Sequence, residues 1–226
     1  MRINKFVATA SGLSRRKADE LIDTGKVTVN GQVPERGQDI TKTDTVSLGE
    51  RVLTLPATMT IMLNKPAGYV VSREGQGSRT IYELLPPEYH SLKPIGRLDK
   101  DSSGLLLLTN DGDLANALTH PSQQKDKLYQ ITLYKPLKPD DKTKIEQGIQ
   151  LEDGLSKLEV RDMSQESGKG SSTLDSISFE VRMHEGRNRQ IRRTFAVLNY
   201  EVKTLHRTQF GDYTLDSLPS GTVKEI

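Results

Sequence analysis

The stretch Gly96-Arg-Leu-Asp-Lys-Asp-Ser-Ser-Gly-Leu-Leu-Leu-Leu-Thr-Asn-Asp-Gly112 joins a polar, glycine-containing turn to an unbroken apolar run. The four leucines at 105–108 predict a buried strand. Asp99 lies in the turn before that strand, where an aspartate usually forms the turn or caps a helix. An ionised carboxylate in a cleft can also act as a nucleophile or general base. The residues alone leave both interpretations open.

The elements on either side of this stretch define the fold class. From Met59 onward, predicted strands outnumber helices and do not alternate strictly with them, which favours an α+β fold with a mixed or antiparallel central sheet flanked by helices over a Rossmann-type sheet. The segment 164–172 is polar and rich in Gly and Ser, so we predict a surface loop of unassigned function there. The predicted strands are 60–64, 105–108, 128–134, 157–163, 174–183, 201–209 and 213–215, and the predicted helices are 80–85, 113–119, 140–147 and 187–198.

The first 49 residues predict a separate small α+β domain. Apolar residues at helical spacing indicate a first helix, and Ser14 is placed to cap a second helix over 15–24. Asn30-Gly31 predicts a type I′ hairpin between 27–29 and 32–33. We therefore expect a small domain at 1–49, a linker at 50–58 and a larger domain at 59–226.

Composition excludes several classes of chemistry. The 226 residues contain no Cys, which excludes disulfides, thiolate metal sites and a Cys nucleophile. The 4 His form no HxxxH or HExxH pair, and a calcium-like start at Asp99 and Asp101 fails at Asn110. Walker A and GxGxxG motifs are absent. We expect no metal, no cofactor, no membrane segment and a cytoplasmic protein.

Charge is informative where it clusters, because the net charge is only +2. Residues 182–193 hold five arginines against one acid, Glu185. If this segment is a helix, one arginine could face an active site while others grip phosphates; a solvated basic face is the alternative. Arg15, Arg16 and Lys17 stand at a helix start, where they oppose the helix dipole, which indicates an anionic partner.

Four motifs in a fixed order resemble one family over nearly the whole chain. The family is the ribosomal RNA pseudouridine synthases of the RsuA type, and residues 1–48 resemble the small S-four (αL) RNA-binding domain. The motifs are Leu63-Asn-Lys-Pro-Ala-Gly68, the stretch 96–112, Lys127-Leu-Tyr129 and Glu185-Gly-Arg-Asn-Arg-Gln-Ile-Arg-Arg193.

The resemblance implies that 1–49 is the RNA-binding domain and 59–226 the catalytic domain, and it implies a role for each matching residue. Asp99 would attack the target uridine, so that the base detaches, turns and rejoins through carbon five. Tyr129 would stack on the flipped base, and Arg192 would pair with Asp99. The remaining expected contacts are Ile191 and Arg97 to the flipped nucleotide, Arg187 and Arg189 to the substrate, and Arg15, Arg16 and Lys17 to RNA.

The resemblance also implies a substrate. We expect a monomer that isomerises a specific uridine of ribosomal RNA, as naked RNA or in a subunit-assembly intermediate. The absence of a long basic tail and Leu205-His-Arg207 favour the small-subunit 16S RNA over the large-subunit 23S RNA. Two alternatives stay open: a non-catalytic RNA-binding assembly factor on the same fold, and a glycosidase that pairs Asp99 with Asp101.

Overall fold

The computed structural model describes residues 1–120, 123, 125–163 and 177–226. The chain divides into two compact units, Met1–Thr58 and Met59–Ile226. The loop predicted at 164–172 and the first residues of the strand predicted at 174–183 lie outside the described residues. In the described part of the chain, no helix is both long enough and apolar enough to cross a membrane.

The first unit packs two helices against a three-stranded antiparallel sheet of order β1-β2-β3. The Ser14 hydroxyl accepts a hydrogen bond from the Lys17 amide at 3.2 Å, which confirms the predicted N-cap. The elements are α1 (Ile3–Ser11), α2 (Arg15–Asp23), β1 (Val27–Val29), β2 (Val46–Leu48) and β3 (Arg51–Val52).

The Asn30-Gly31 turn forms, but the predicted hairpin does not extend from it. Both residues have positive φ, 53° and 82°, as a type I′ turn requires. Beyond a single bridge to Gln32, however, β1 pairs with β2. Pro34 lacks the N–H that a second strand would need, and Val33 is exposed. The strand β3 lies in the segment that we expected to be a linker, where the buried side chain of Leu53 joins the core of this unit.

The second unit contains a mixed sheet of order β10-β11-β7-β12-β6-β4-β14, in which β13 also pairs with β12 and β5 with β6. All pairings are antiparallel except that of β12 with β6. The predicted α+β class with a mixed central sheet is therefore confirmed. The elements are β4 (Thr60–Lys65), β5 (Lys93–Pro94), β6 (Ser103–Thr109), α3 (Gly112–Thr119), β7 (Lys127–Leu133), α4 (Pro139–Gln147), β8 (Ile149–Leu151), β9 (Gly154–Ser156), β10 (Glu159–Asp162), β11 (Ser178–Met183), α5 (Gln190–Val197), β12 (Val202–Phe210), β13 (Tyr213–Thr214) and β14 (Val223–Glu225).

The leucine run is the central strand β6, and all four of its leucines are fully buried. Side chains alternate across a strand. Leu106 and Leu108 accordingly join the larger core, while Leu105 and Leu107 join a second core that contains Phe210. The run is continuous because both faces of the sheet are covered.

Two predicted helices differ in the structure. The helix expected at 80–85 is a 3₁₀ turn, Ile81–Leu84. The arginine-rich helix begins at Gln190 rather than at 187, because residues 187–190 form a turn closed by the Gln190 amide on the Arg187 carbonyl. Arg189 has a φ of 46°, so its side chain does not follow the helical spacing expected of it.

Candidate active site

A cleft of about 1000 Å³ opens in the second unit, beside the turn before β6 and the beginning of β7. Its other walls come from β12 and from the turn and first residues of α5. The cleft brings together six of the residues singled out in the sequence, namely Arg97, Asp99, Tyr129, Arg187, Arg189 and Ile191.

Asp99 both forms a turn and faces the cleft. Its carbonyl accepts a hydrogen bond from the Ser102 amide at 3.1 Å, which closes the turn that leads into β6. Its carboxylate lines the cleft with 29% of the side chain exposed. The backbone therefore serves the turn, and the carboxylate stays accessible to a ligand.

Lys65, the last residue of β4, holds this turn from below. It is 0% exposed, and its ammonium donates to the carbonyls of Ser102 at 2.6 Å, Asp99 at 3.1 Å and Pro66 at 3.1 Å. Burial lowers the pKa of Lys65 to about 8, against the opposing attraction of the Asp101 and Asp99 carboxylates. Three converging carbonyls and two nearby carboxylates thus accommodate the buried charge.

Arg189 bridges the two carboxylates of the Asp99 turn. It forms a bidentate pair with Asp101 at 3.0 and 3.1 Å, and its Nη1 lies 3.6 Å from Oδ2 of Asp99. The left-handed backbone of Arg189 places its guanidinium on this side of α5. Partial burial by itself would raise the pKa of Asp101, but the hydrogen bonds from Arg189 and the charge of Arg192 bring that pKa below its usual range. Asp101 is therefore ionised and paired, which argues against its use as the proton-donating acid of a glycosidase.

The ion pair expected between Arg192 and Asp99 is made with Asp101 instead. The Nε of Arg192 lies 3.3 Å from Oδ2 of Asp101, and its Nη2 donates to the Asp101 carbonyl at 3.2 Å. A third contact, from Nη1 to the Val202 carbonyl at 2.6 Å, anchors the guanidinium at the beginning of β12. This anchor directs Arg192 to the back of the turn, so it supports the turn without lining the cleft.

Tyr129 and Ile191 supply apolar walls to the cleft. Tyr129 is 8% exposed on β7, opposite Val181 of β11 and Arg207 of β12. Ile191 is 4% exposed in the first turn of α5. Both belong to the larger core and also line the cleft, so each presents an edge there while its remaining surface is packed.

Arg187 and Arg97 differ in how far they are committed to internal contacts. Arg187 donates to Asp153 at 2.9 and 3.0 Å, to the Leu155 carbonyl at 2.8 Å and to Glu185 at 3.0 Å. It thereby fastens the β8–β9 hairpin to the turn before α5. Arg97 lines the cleft and is exposed to solvent.

Arg15, Arg16 and Lys17 belong to the first unit and lie outside this cleft. All three are exposed in the first turn of α2, and Lys17 pairs with Glu20 at 2.6 Å.

Three residues of the site were missed as functional candidates. The motif at 63–68 was part of the resemblance, but no role was predicted for Lys65, because a lysine at the end of a strand is ordinarily exposed. Asp101 was considered only as a second acid or a metal ligand. Arg207 lines the cleft at 2% exposure, and a single arginine in the β12 strand has no sequence pattern that marks it as a site residue. Within the described ranges, no three His, Asp or Glu side chains converge as a metal site would require.

The fold and the cleft belong to an enzyme class that acts on nucleic acid. The sequence profile of the RNA pseudouridylate synthases matches residues 59–197, and that of the S4 domain matches residues 1–46. The chain belongs to the RNA pseudouridylate synthase family.

Two relatives within that family are similar over most of their length. Ribosomal large subunit pseudouridine synthase B of Bacillus subtilis is 36% identical over 229 residues, which span 100% of this chain and 91% of that protein. Ribosomal small subunit pseudouridine synthase A of Pasteurella multocida is 35% identical over 219 residues, 96% of this chain and 91% of that protein. A solved structure described as a pseudouridylate synthase superposes with a TM-score of 0.69 at 31% identity, covering 100% of this chain and 96% of that one.

Proposed function

We propose that the protein isomerises a uridine of ribosomal RNA to pseudouridine, with Asp99 as the nucleophile. The observation that carries this proposal is the placement of the Asp99 carboxylate, accessible in the cleft that Tyr129 lines and 3.6 Å from the Arg189 guanidinium. The Arg189 guanidinium helps to hold this carboxylate in one orientation at the cleft. The Lys65 contacts support the proposal further, since a rigidly held turn keeps a nucleophile in one position.

The proposed reaction needs no external energy source or redox partner. A carboxylate oxygen of Asp99 bonds to C1′ of the ribose while the C1′–N1 bond breaks, and its electron pair leaves with the uracil. The uracil turns, its C5 bonds to C1′, and the Asp99 carboxylate leaves with its electron pair. The proton on C5 is then lost to solvent and N1 gains one, so the product is an isomer of the substrate.

The target base must leave its helix before this chemistry begins. Flipping a base out of the stack costs a few kcal/mol, and stacking on an aromatic ring offsets about 1–3 kcal/mol of that cost. Tyr129, at the beginning of β7, is the aromatic side chain that we propose for this role. Contacts of Arg15, Arg16 and Lys17 with the RNA backbone would add affinity without sequence information.

The RNA itself is proposed from the relatives. Their names assign them to the large and to the small ribosomal subunit. We expect the small-subunit RNA to be the substrate. We also expect the protein to act as a monomer in the cytoplasm. Both naked RNA and an assembly intermediate belong in the test.

The test is release of tritium from C5 of uridine. Transcripts of 16S and 23S RNA labelled at C5 are incubated with wild type, Asp99→Ala and the control Asp140→Ala, whose exposed carboxylate lies in the first turn of α4. We expect release by the wild type and the control, none by Asp99→Ala, and nearly equal RNA affinity for all three.

Two outcomes would contradict parts of the proposal. Equal loss of RNA binding and turnover in Asp99→Ala would make Asp99 structural rather than nucleophilic. A wild type that binds RNA yet releases no tritium from either transcript or from partly assembled subunits would favour the non-catalytic assembly factor.

A further inference from the structure

Arg207 is buried at the centre of the sheet and reaches the cleft. It lies on β12, opposite Tyr129 of β7 and beside Gly104 of β6, and is 2% exposed. A Cβ on Gly104 would lie 2.2 Å from the Arg207 carbonyl oxygen, so glycine is what allows the two strands to approach so closely. The position of Arg207 is thus determined by backbone on both sides.

The guanidinium of Arg207 is only partly satisfied. Its Nε donates to the Leu105 carbonyl at 2.8 Å, and its Cζ lies 4.9 Å from the centre of the Phe210 ring. Its Nη2 is buried and has no hydrogen-bond partner among the described residues. A buried donor without an acceptor costs free energy. An acceptor that enters the cleft would remove that cost.

Lys127 adds a second positive charge at the same place. Its ammonium lies 5.3 Å from the centre of the Phe210 ring and donates to the carbonyls of Lys125 at 3.1 Å and His184 at 3.3 Å. Burial and the Arg207 charge lower the pKa of Lys127, against the attraction of the Asp126 and Glu185 carboxylates.

This pair of cations differs from the arginines around α5. Over the described ranges, Arg207 and Lys127 form no ion pair within 4 Å. By contrast, carboxylates neutralise the arginines of the other group, which are Arg187, Arg189, Arg192 and Arg193. Two cations that no ion pair neutralises in the described part of the chain therefore line the cleft beside Phe210 and Tyr129.

The ligand that fits is an oxygen acceptor that develops negative charge next to Tyr129. Directly opposed residues on antiparallel strands have Cβ atoms about 4.5–5.5 Å apart, so a base stacked on Tyr129 lies within reach of Arg207. At 2% exposure, Arg207 is accessible to a thin planar base more readily than to a bulky, hydrated phosphate.

We propose that Arg207, assisted by Lys127, binds a carbonyl oxygen of the flipped uracil and stabilises the negative charge that the base carries once the C1′–N1 bond has broken. The inference rests on the proposed function and assigns the group that stabilises the leaving base. The electron pair of the broken bond spreads over N1 and the two carbonyl oxygens, so a fixed cation interacts more strongly with the detached base than with the neutral uridine. Such an interaction raises the rate of the chemical step rather than the affinity for RNA.

The test separates rate from affinity. Single-turnover tritium release at saturating RNA is measured for Arg207→Gln, Arg207→Lys and Lys127→Gln, beside RNA affinity at several salt concentrations and thermal unfolding. Arg161→Gln is the control, since Arg161 is an exposed arginine of β10 outside the cleft. We expect Arg207→Gln to slow release by about 10²–10³-fold, a loss typical of a removed charge-stabilising donor. Arg207→Lys should recover part of this rate and Lys127→Gln should slow release less, with RNA affinity nearly unchanged in each.

Each other outcome overturns the inference in a distinct way. Weaker RNA binding with a shallower salt dependence and a normal saturated rate would make Arg207 a phosphate contact. A normal rate in Arg207→Gln would remove it from the reaction, and if that variant fails to fold, a normal rate in folded Lys127→Gln does the same. If the wild type releases no tritium, the proposed function itself is contradicted. If only the variants fail to release tritium, it is not.

Discussion

The ammonium of Lys65 lies 2.6 Å from the Ser102 carbonyl and 3.1 Å from the Asp99 carbonyl. One buried lysine thus ties the end of β4 to the turn that presents Asp99. The same turn is held from the other side by Arg189 and Arg192 through Asp101. The candidate nucleophile is therefore positioned by cations on two different elements.

Replacing Lys65 with Met should weaken both the fold and the reaction. The variant keeps the length of the side chain but leaves three carbonyls without their donor, and unsatisfied buried groups cost about 1–3 kcal/mol each. Because the removed ammonium also no longer needs desolvation, we expect a net loss of about 2 kcal/mol in the free energy of unfolding. Turnover should fall at least about tenfold because the Asp99 turn is loosened. Urea unfolding measures the stability and tritium release the turnover. Lys203→Met, which replaces an exposed lysine, is the control. Equal stability of the two variants would contradict the role of Lys65.

The contribution of Lys65 should depend on pH in a defined window. Its pKa falls from 10.5 to about 8 in the folded protein, so between these values the native state has lost a proton that the unfolded chain retains. The free energy of unfolding contributed by Lys65 should therefore rise with pH from about 8 to 10.5 and be flat below that range. The difference between wild type and Lys65→Met, taken from urea unfolding at pH 7 to 10, isolates this effect. A difference that shrinks across the window would contradict the lowered pKa.

Asp101→Asn should lower turnover while strengthening RNA binding. Without the Asp101 charge, Arg189 can move from its present 3.6 Å to hydrogen-bond distance of the Asp99 carboxylate and block its attack. In addition, Arg189 and Arg192 lose the carboxylate that neutralises them. We expect turnover to fall about tenfold, equivalent to about 1.4 kcal/mol in the barrier. RNA affinity at low salt should rise, as extra cationic charge favours phosphate binding. Steady-state tritium release measures the turnover and RNA titration the affinity, with Asp140→Asn as the control. An unchanged turnover would show that the pairing of Asp101 does not affect the reactivity of Asp99.

Gly104→Ala should be one of the most damaging small substitutions in β6. Gly104 has a φ of +104°, and an added Cβ would lie 2.2 Å from the Arg207 carbonyl oxygen. Backbone strain of this kind costs about 1–3 kcal/mol before any steric clash is added. Gly221→Ala is a matched control, since Gly221 has a φ of +81° and open space around it. We expect Gly104→Ala to lose clearly more unfolding free energy than Gly221→Ala, and equal losses would show that the strands can separate without cost.

Substitution of Arg15, Arg16 and Lys17 by Ala should change affinity and leave chemistry intact. Each lost contact with single-stranded phosphate lowers the slope of log affinity against log salt by about 0.7. We expect weaker RNA binding, a shallower slope and nearly unchanged turnover at saturating RNA. Lys42→Ala, another exposed lysine of the first unit, is the control. An unchanged slope would remove the three residues from the RNA interface.

Local chemistry explains what could be predicted from the sequence. Four consecutive leucines, a serine at a helix start and an Asn-Gly pair each have strong preferences that the fold obeys at Leu105–Leu108, Ser14 and Asn30-Gly31. The α+β class follows from the same local signals, because the order of strands and helices limits how they can be layered. The motifs that carry the family resemblance also predicted that Asp99 and Tyr129 belong to one site, and both residues line the same cleft.

The partners of the charged side chains could not be predicted in this way. Asp99 and Asp101 are two residues apart, and only the three-dimensional course of the turn and the anchor of Arg192 on Val202 decide which of them receives that guanidinium. Lys65 is buried because carbonyls of residues 66, 99 and 102 converge on it, and two of these are more than 30 residues away in the chain.

By itself, then, the amino-acid sequence determined most of the elements and the fold class and indicated Asp99 and Tyr129 as candidate site residues, because those depend on local preferences and on motif order. The tertiary structure alone decided which cations are neutralised and which are not. Arg189 and Arg192 share Asp101, while the Nη2 of Arg207 is buried beside Tyr129 without an acceptor among the described residues. Electrostatic strength depends on distance and burial, and both are set by contacts between strands that lie far apart in the chain.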